Sequence, residues 1–371
     1  MTVFFKSGRG VLSDSVFAYG PLIDDPVRAR LFGDGAGEAV PARLPGFALV
    51  AADEWPAPRL QPRAGSAVSG ALVAAPPGLP AEALATLMGP AREMTVETAA
   101  GPRAARVFGS EGQGAPWDAD AWRDGGREVF LAMLDELIEM GEVGQPGGLL
   151  RRAVARVAAG AGAPARLRSH FGPGALDRHE RERLHAGFFT LDRHSYRQRR
   201  FDGAMSETVV REVFYTCDAV TVLPWDPVTD RVLLIEQMRA GLVSRGDPNP
   251  MNLEVVAGMR DRVESPEETA RREAREEAGL ELGRMEPIGG YYPSPGAVTE
   301  YVSGFIAEAD LSRKAEGVHG LDTEHEDIRT LILPRAEAMA ALDSGEARNA
   351  PLMISLYELE RRHAALARRW G

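Results

Sequence analysis

Short apolar runs broken by glycine and proline fill residues 16–108, among them Val16-Phe17-Ala18-Tyr19, Phe47-Ala48-Leu49-Val50, 68–73 and 104–108. Runs of this length between turn formers predict strands joined by tight connections. Ala81, Leu84, Leu87 and Met88 fall at helical spacing, and Trp122, Val129, Phe130, Met133, Leu134 and Leu137 recur at three- and four-residue steps. Helices are therefore expected over 81–88 and within 117–140. The Arg- and Ala-rich stretch 149–167 contains Gly160-Ala161-Gly162-Ala163-Pro164 and reads as a short helix running into a linker. From Gly187 the texture changes to longer strands at 188–191, 209–216, 219–224, 232–237, 301–307 and 328–333, with helical patterns at 336–342 and 350–369. The pattern predicts an α+β chain of two domains, 1–168 and 185–371, the second a set of mixed strands layered between helices.

A chain of 371 residues exceeds what one core usually supports, which agrees with two domains. Its 44% hydrophobic and 26% charged residues are those of a soluble globular protein. A net charge of -11 argues against a dedicated nucleic-acid binder but leaves room for a polyphosphate reached through divalent cations. The one cysteine, Cys217, excludes an intramolecular disulfide and a cysteine-based zinc site, and a buried structural thiol is expected. The first twenty residues lack the pattern of a signal peptide, and no run of about 18 apolar residues occurs. A cytoplasmic protein with no membrane or nucleic-acid partner is expected.

One segment carries more negative charge than a surface helix needs. From Gly258 there are five residues to Glu264, then seven to Arg272-Glu273-Ala274-Arg275-Glu276-Glu277-Ala278-Gly279-Leu280. Ser265, Pro266 and Glu268 make a capping box with proline at the first helical position, and Gly279 suits the place just past a helix end. On that helix Glu273, Glu276 and Glu277 stand at i, i+3 and i+4 and crowd one face near the negative end of the dipole. Ala270 and Ala274 are small enough for close packing on a sheet. Such a face calls for cations. Either Arg271, Arg272 and Arg275 neutralise it locally, or its hard oxygens bind divalent metal, for which Mg²⁺ retaining waters and bridging to phosphates is the natural choice.

Taken whole, the spacing from Gly258 to Leu280 resembles the Nudix box. The resemblance implies an α/β/α sandwich whose loop, helix and loop ligate metal through Glu273 and Glu277, with the Ala257 carbonyl as another ligand. Glu276 is then a ligand or a support, and Glu264 and Arg272 orient the ligands, so that Arg272 and Glu276 count among the catalytic groups. Downstream, Tyr291-Tyr292-Pro293-Ser294-Pro295-Gly296 followed by Glu300 resembles a loop of ADP-ribose pyrophosphatases, which makes Ser294, Pro295 and Gly296 candidate substrate contacts. The segment 318–329 is similar to the acidic loop of the same enzymes, implying Glu324 as general base and Glu326 as a metal ligand.

Likewise 210–214 and 234–239 carry Arg211 and Arg239 where those enzymes bind substrate, and Phe201, beside Arg199 and Arg200, lies on the strand segment that in that family reaches across a dimer, where an aromatic can stack on adenine. The likeness runs from 187 to 370 and is closest to the tellurite-resistance protein type. It implies Mg²⁺, with Mn²⁺ as a substitute, a homodimer through this domain, and hydrolysis of a small nucleoside diphosphate derivative, ADP-ribose, to AMP and ribose 5-phosphate. Another nucleotide sugar or dinucleotide, or a domain that senses a ligand without cutting it, remain the alternatives.

In the first domain, Phe17-Ala18-Tyr19-Gly20-Pro21-Leu22 resembles the Tyr-Gly-x-Leu loop of the gamma-glutamylcyclotransferase-like fold, a mixed β-barrel with helices. Tyr19, Gly20, Pro21 and Leu22 are therefore a candidate binding loop, whose main-chain amides suit a carboxylate. The acids that turnover would require fall at Met88 and Ala91, and Glu93 is two residues out of register. The expectation is a binding or structural domain, with a working cyclotransferase as the alternative.

Overall fold

The computed structural model describes residues 14–33, 39–52, 54–141, 144–160, 162, 166–169, 172, 174–312, 314, 316–321 and 326–371. Two compact units emerge, Met1–Ala161 and Gly162–Gly371.

In the first unit β1 (Ser15–Ala18), β2 (Val40–Ala52), β3 (Trp55–Ala74), β4 (Ala91–Thr98) and β5 (Gly101–Phe108) close a barrel in the order β1-β3-β2-β4-β5. Closure comes from a parallel pairing of Val16 with Arg106. The apolar runs anticipated at 16–19, 47–50, 68–73 and 104–108 fall on or beside β1, β2, β3 and β5. No run marks β4, because Val96 is its only buried residue. Around the barrel lie α1 (Asp25–Phe32), α2 (Ala81–Met88), α3 (Ala119–Ala121), α4 (Arg127–Met140) and α5 (Pro146–Gly160), with a π-helical turn, Trp122–Gly126, between α3 and α4. Phe17, Tyr19, Leu60, Leu84, Phe108 and Phe130 are fully enclosed and form one core with these helices. Burying each such side chain contributes about 1.5–3 kcal/mol. Trp122 joins them by donating its indole N–H to the Pro56 carbonyl at 2.7 Å.

The second unit opens with a three-stranded antiparallel sheet, β6 (Leu176–Ala186), β7 (Thr190–Gln198) and β8 (Val209–Tyr215). The sequence reading places no strand over β6 and begins the second domain only at 185. The reason is visible in the strand itself, Leu-Asp-Arg-His-Glu-Arg-Glu-Arg-Leu-His-Ala, which offers almost no apolar alternation and is held by ion pairs instead. Arg181 Nε and Arg183 Nε both lie 2.5 Å from the carboxylate of Asp192, whose side chain is wholly buried.

The larger sheet follows the order β13-β14-β9-β10-β16-β15, with β11 beside β10 and β12 beside β9. Its strands are β9 (Ala219–Asp226), β10 (Arg231–Met238), β11 (Met251–Glu254), β12 (Val256–Met259), β13 (Met285–Tyr291), β14 (Val302–Glu308), β15 (Val318–His319) and β16 (Ile328–Pro334). A short helix, α6 (Ala240–Arg245), links β10 to β11, and α7 (Pro266–Ala278) follows β12. The chain ends with α8 (Arg335–Ser344) and α9 (Ala350–Trp370). Strand alternation sends Val220 and Val222 of β9 to one face, where Ala270, Ala274 and Ala278 of α7 pack, and Leu223 and Trp225 to the other, against Leu352, Leu356 and Leu359 of α9. Helices thus cover both faces, as the layering of the sequence predicts.

Burial pushes the Asp192 carboxyl up, but its two guanidinium partners outweigh this and hold it below the ordinary aspartate value of 3.8. A carboxyl depressed in the folded state adds stability that is complete above its unfolded value and is lost as pH falls through the lower folded one. Asp192→Asn should therefore cost roughly 3 kcal/mol at pH 7, since it removes the buried negative charge that two guanidiniums share. Denaturant titrations at several pH values should show the gap to the unaltered protein narrowing only below pH 3.8.

Candidate active site

The acidic helix is built as its sequence directs. Ser265 Oγ accepts from the Glu268 amide at 3.2 Å, and the Glu268 carboxylate accepts from the Ser265 amide at 2.8 Å, completing the capping box. Gly279 closes the helix with a left-handed φ of 54°. The apolar stripe Ala270, Ala274 and Ala278 sets α7 against the sheet, so that its carboxylates face the β12 segment just upstream. The Ala257 amide donates to Glu277 Oε2 at 3.0 Å, and Glu277 is only 2% exposed.

Gly258 is required by the close approach of Glu273. A Cβ at position 258 would stand 1.9 Å from the Glu273 carboxyl carbon and 1.9 Å from Oε1. Any side chain there must push the carboxylate away.

Arg272 gathers the rest. It donates through Nη2 to Glu264 Oε1 at 3.0 Å and through Nη1 to Glu276 Oε2 at 2.9 Å, and Nη1 lies 2.8 Å from Glu273 Oε1. Although burial opposes its charge, hydrogen bonding to Glu264 and the fields of Glu273, Glu264 and Glu276 raise its affinity for the proton. Glu264 is further fixed by the buried Thr269 hydroxyl, which donates to Oε1 at 3.0 Å. Arg260 ties the same loop down, donating to the Glu264 carbonyl at 2.9 Å.

Two of the carboxylates are under electrostatic pressure. Burial pushes the Glu273 carboxyl up to about 7 against the pull of Arg272, with Glu276 and Asp261 adding repulsion. Burial likewise drives Glu277 well above the usual carboxylate range; the Ala257 amide and Arg239 counter this, while Glu273 and Glu326 reinforce it. Among the described residues no three carboxylate, imidazole or thiol groups stand close enough to enclose a metal ion. Glu273 leans on Arg272 and Glu277 on the Ala257 amide. The chemistry of the donors still fits a hard divalent cation, because these are crowded carboxylate oxygens whose charge burial and mutual repulsion disfavour, a penalty that a cation removes.

The structure brings Arg239 and Glu326 to this cluster: both act electrostatically on Glu277, and Glu326 Oε2 accepts from the Leu321 amide at 3.2 Å. Glu324 lies outside the described residues. Three residues that the sequence reading passed over or named only in passing belong here. Glu254 forms a two-point pair with Arg239. Asp218, 5% exposed, is raised first by burial and eased by Arg260. Glu300 is raised by burial and by Asp218, and Arg239 opposes the rise. Their signal was present in the strand ends at 218, 254 and 300, where a carboxylate abuts an apolar run, but such a signal does not distinguish a site from an exposed edge.

Other candidates stand apart from the carboxylate helix in the contacts they make. Arg211 projects from β8 and donates to the Val210 carbonyl at 2.7 Å. Phe201 is 99% exposed in the turn between β7 and β8. The exposed turn Ser294, Pro295 and Gly296 docks on β8, where the Phe214 amide donates to the Ala297 carbonyl at 2.8 Å.

In the first unit the candidate loop is part of the core. Tyr19 is buried and donates to the Phe108 carbonyl at 2.6 Å, Pro21 has no N–H, and the Leu22 amide is spent on the Tyr19 carbonyl at 3.0 Å. Gly20 adopts a left-handed φ of 54°. A cavity of about 290 Å³ lies by the end of α2, lined by Trp55, Pro58, Arg59, Met88 and Ser110 among others, and no carboxylate among the described residues lines it. Glu93 and Ala91 are exposed on β4.

A family model described as the NUDIX domain matches residues 216–356, the stretch from the end of β8 into α9. The ADP-ribose pyrophosphatase of Escherichia coli strain K12 is 42% identical over 208 residues, 56% of this chain and 99% of that protein. The chain belongs to the Nudix family. It is a Nudix hydrolase fused to a distinct barrel domain. Two further Nudix relatives are the ADP-ribose pyrophosphatase of Haemophilus influenzae, 34% identical over 54% of this chain and 93% of its own, and the GDP-mannose pyrophosphatase of an Escherichia coli O1:K1 strain, 34% identical over 48% and 92%.

Gly258→Ala should leave the Nudix helix folded while moving Glu273. We expect kcat to fall by about 100-fold, the usual cost of a misplacement near 1 Å in a catalytic array, with the melting temperature little changed. Steady-state kinetics and a thermal melt on the same preparation check both halves.

Proposed function

We propose that this Nudix hydrolase cleaves the pyrophosphate bond of ADP-ribose to AMP and ribose 5-phosphate, using Mg²⁺. The observation that carries the reading is the 42% identity to an ADP-ribose pyrophosphatase across 99% of that enzyme, together with a carboxylate helix intact at Glu273, Glu276 and Glu277. Glu273, Glu277 and Glu326 with the Ala257 carbonyl would hold the metal, which when bound neutralises the diphosphate and the charge developing on the attacked phosphoryl group. Mn²⁺ has the same preference for oxygen ligands and is expected to substitute.

The protein's own groups supply the remaining steps. Arg272 holds Glu273 and Glu276 in register from behind. Arg239, a cation facing Glu277 and Glu326, binds diphosphate oxygens, with Arg211 and the turn Ser294-Pro295-Gly296 completing the substrate contacts. Glu324 takes the proton of the attacking water. The exposed Phe201 suits a partner subunit, so that a homodimer places its ring over adenine. No described helix is long and apolar enough to cross a membrane, and we infer a cytoplasmic enzyme. The likeness to the tellurite-resistance type belongs to the same reading.

The GDP-mannose pyrophosphatase relative favours a second reading, another nucleotide sugar as substrate. A sensor that binds without cutting is disfavoured, since a domain released from catalysis has no need to keep charges that burial penalises. For the barrel we infer a cyclotransferase-like fold with a binding or structural role, because no acid among the described residues lines its cavity to move a proton.

Purified protein with Mg²⁺ should release AMP and ribose 5-phosphate from ADP-ribose faster than it cuts GDP-mannose, and EDTA should stop it. A preference for GDP-mannose, another nucleotide sugar or a dinucleotide removes the substrate; turnover of none of them favours the sensor reading. Glu324→Gln should lower kcat roughly 100-fold or more, and Glu277→Gln should abolish turnover. Near-normal turnover in Glu324→Gln would assign the base elsewhere. The barrel should release no 5-oxoproline from gamma-glutamyl compounds.

A further inference from the structure

Strand alternation puts a polar ladder beside the Nudix carboxylates. In the β10–β11 pairing Ile235 stands opposite Glu254 and Gln237 opposite Asn252. Arg239 continues the same alternation two residues beyond Gln237, so Gln237, Arg239, Asn252 and Glu254 share one face. Here the strand hands over to α6: Arg239 is its N-cap, with extended backbone, and its amide donates to the Pro250 carbonyl at 3.2 Å. The backbone thus fixes where the arginine starts.

Its guanidinium is fixed by Glu254. Nε donates to Glu254 Oε1 at 2.8 Å and Nη2 to Oε2 at 2.7 Å, a parallel two-point pair. Glu254 is itself 4% exposed and further held by Asn252, whose Nδ2 donates to the same Oε1 at 2.7 Å. The pair therefore runs from a buried, supported carboxylate to a guanidinium whose side chain is 42% exposed. Engaging Nε and Nη2 leaves Nη1 without a hydrogen bond among the described residues, and Nη1 is the end of the fork away from Glu254. The surroundings of the guanidinium include Glu277 and Glu326, which with Glu254 raise its proton affinity, and Glu300, which it steadies. The Gln237 amide nitrogen on the same face is buried and lacks a partner among the described residues.

We propose that Glu254 is a positioning residue for the Nudix reaction: it anchors Arg239 so that Nη1 faces the substrate diphosphate instead of folding onto the metal-binding carboxylates. This rests on the pyrophosphatase reading above. Glu277, Glu326 and Glu300 interact electrostatically with this guanidinium and are three competing anions. Without an anchor it would pair with them, neutralising the charge meant for the cation and withdrawing the donor meant for phosphate. Glu254 wins because its pairing is two-pointed and the Asn252 amide holds the carboxylate in place.

The test is a double-mutant cycle with ADP-ribose, read both as kcat/KM with Mg²⁺ and as equilibrium binding with EDTA, where no turnover occurs. Glu254→Gln keeps the shape and removes the charge. We expect it to weaken ADP-ribose binding about tenfold or more, Arg239→Gln to weaken it at least as much, and the double variant to be no weaker than Arg239→Gln alone. Glu254→Asp, which keeps the charge but retracts it by one methylene, should also weaken binding while retaining a cooperative melt, and it carries the cycle if Glu254→Gln does not fold. Binding by Glu254→Gln at the unaltered affinity, or losses that multiply in the double variant, overturns the proposal. If the unaltered protein takes GDP-mannose and not ADP-ribose, the cycle is read with GDP-mannose, so that failure of the substrate assignment and failure of the positioning role remain separate results.

Discussion

The Nudix site depends on one guanidinium. Arg272 is the point at which the loop entering the helix, through Glu264, meets the helix's own carboxylates, Glu273 and Glu276. Three acids within reach of a single cation would be unstable without it, and a cation without them would be costly to bury at that depth. Their mutual need lets a concentration of negative charge exist on a folded helix. The alanine stripe then fixes the height of the helix above the sheet, and the absence of a side chain at Gly258 lets Glu273 reach its place.

Much of this was legible because local rules and global architecture agree along α7. The serine, proline and glutamate that start the helix, the glycine that ends it, and the i, i+3, i+4 carboxylates each follow from neighbours in sequence, and the structure realises all of them. Strands with apolar runs, such as β9 and β10, were equally readable. What escaped depends on partners distant in sequence. Strand β6 has no hydrophobic pattern and is held by Arg181 and Arg183 on Asp192. Glu254 acquires meaning only when β11 lies beside β10, and Asp218 only when the Arg260 loop returns to it. In the barrel's candidate loop the tyrosine hydroxyl donates to the Phe108 carbonyl and the Leu22 amide to the Tyr19 carbonyl, partners that the motif alone does not reveal.

The two units put acidity to different uses. In the Nudix unit carboxylates are kept crowded and half-starved of protein partners, an arrangement that stores electrostatic free energy for a ligand to release. In the barrel unit Glu136 is the deeply buried carboxylate among the described residues; it is 1% exposed and receives Arg152 Nε at 2.8 Å, so it joins α5 to α4. The same residue type serves a site where it is left wanting and a fold where it is satisfied.

Strand β9 divides its side chains between the layer of α7 and the layer of α9. Val222 and Leu223 are chain neighbours, yet one supports the catalytic helix and the other the closing helix. Their consequences in variation therefore diverge. A slightly wrong shape at 222 is transmitted as a tilt of the carboxylates, whereas one at 223 is spread over a long helix that carries no chemistry. Adjacent codons are thus exposed to different selection, one guarding rate and the other guarding persistence of the fold, and the central strand of the sheet can drift on one face while it is held still on the other.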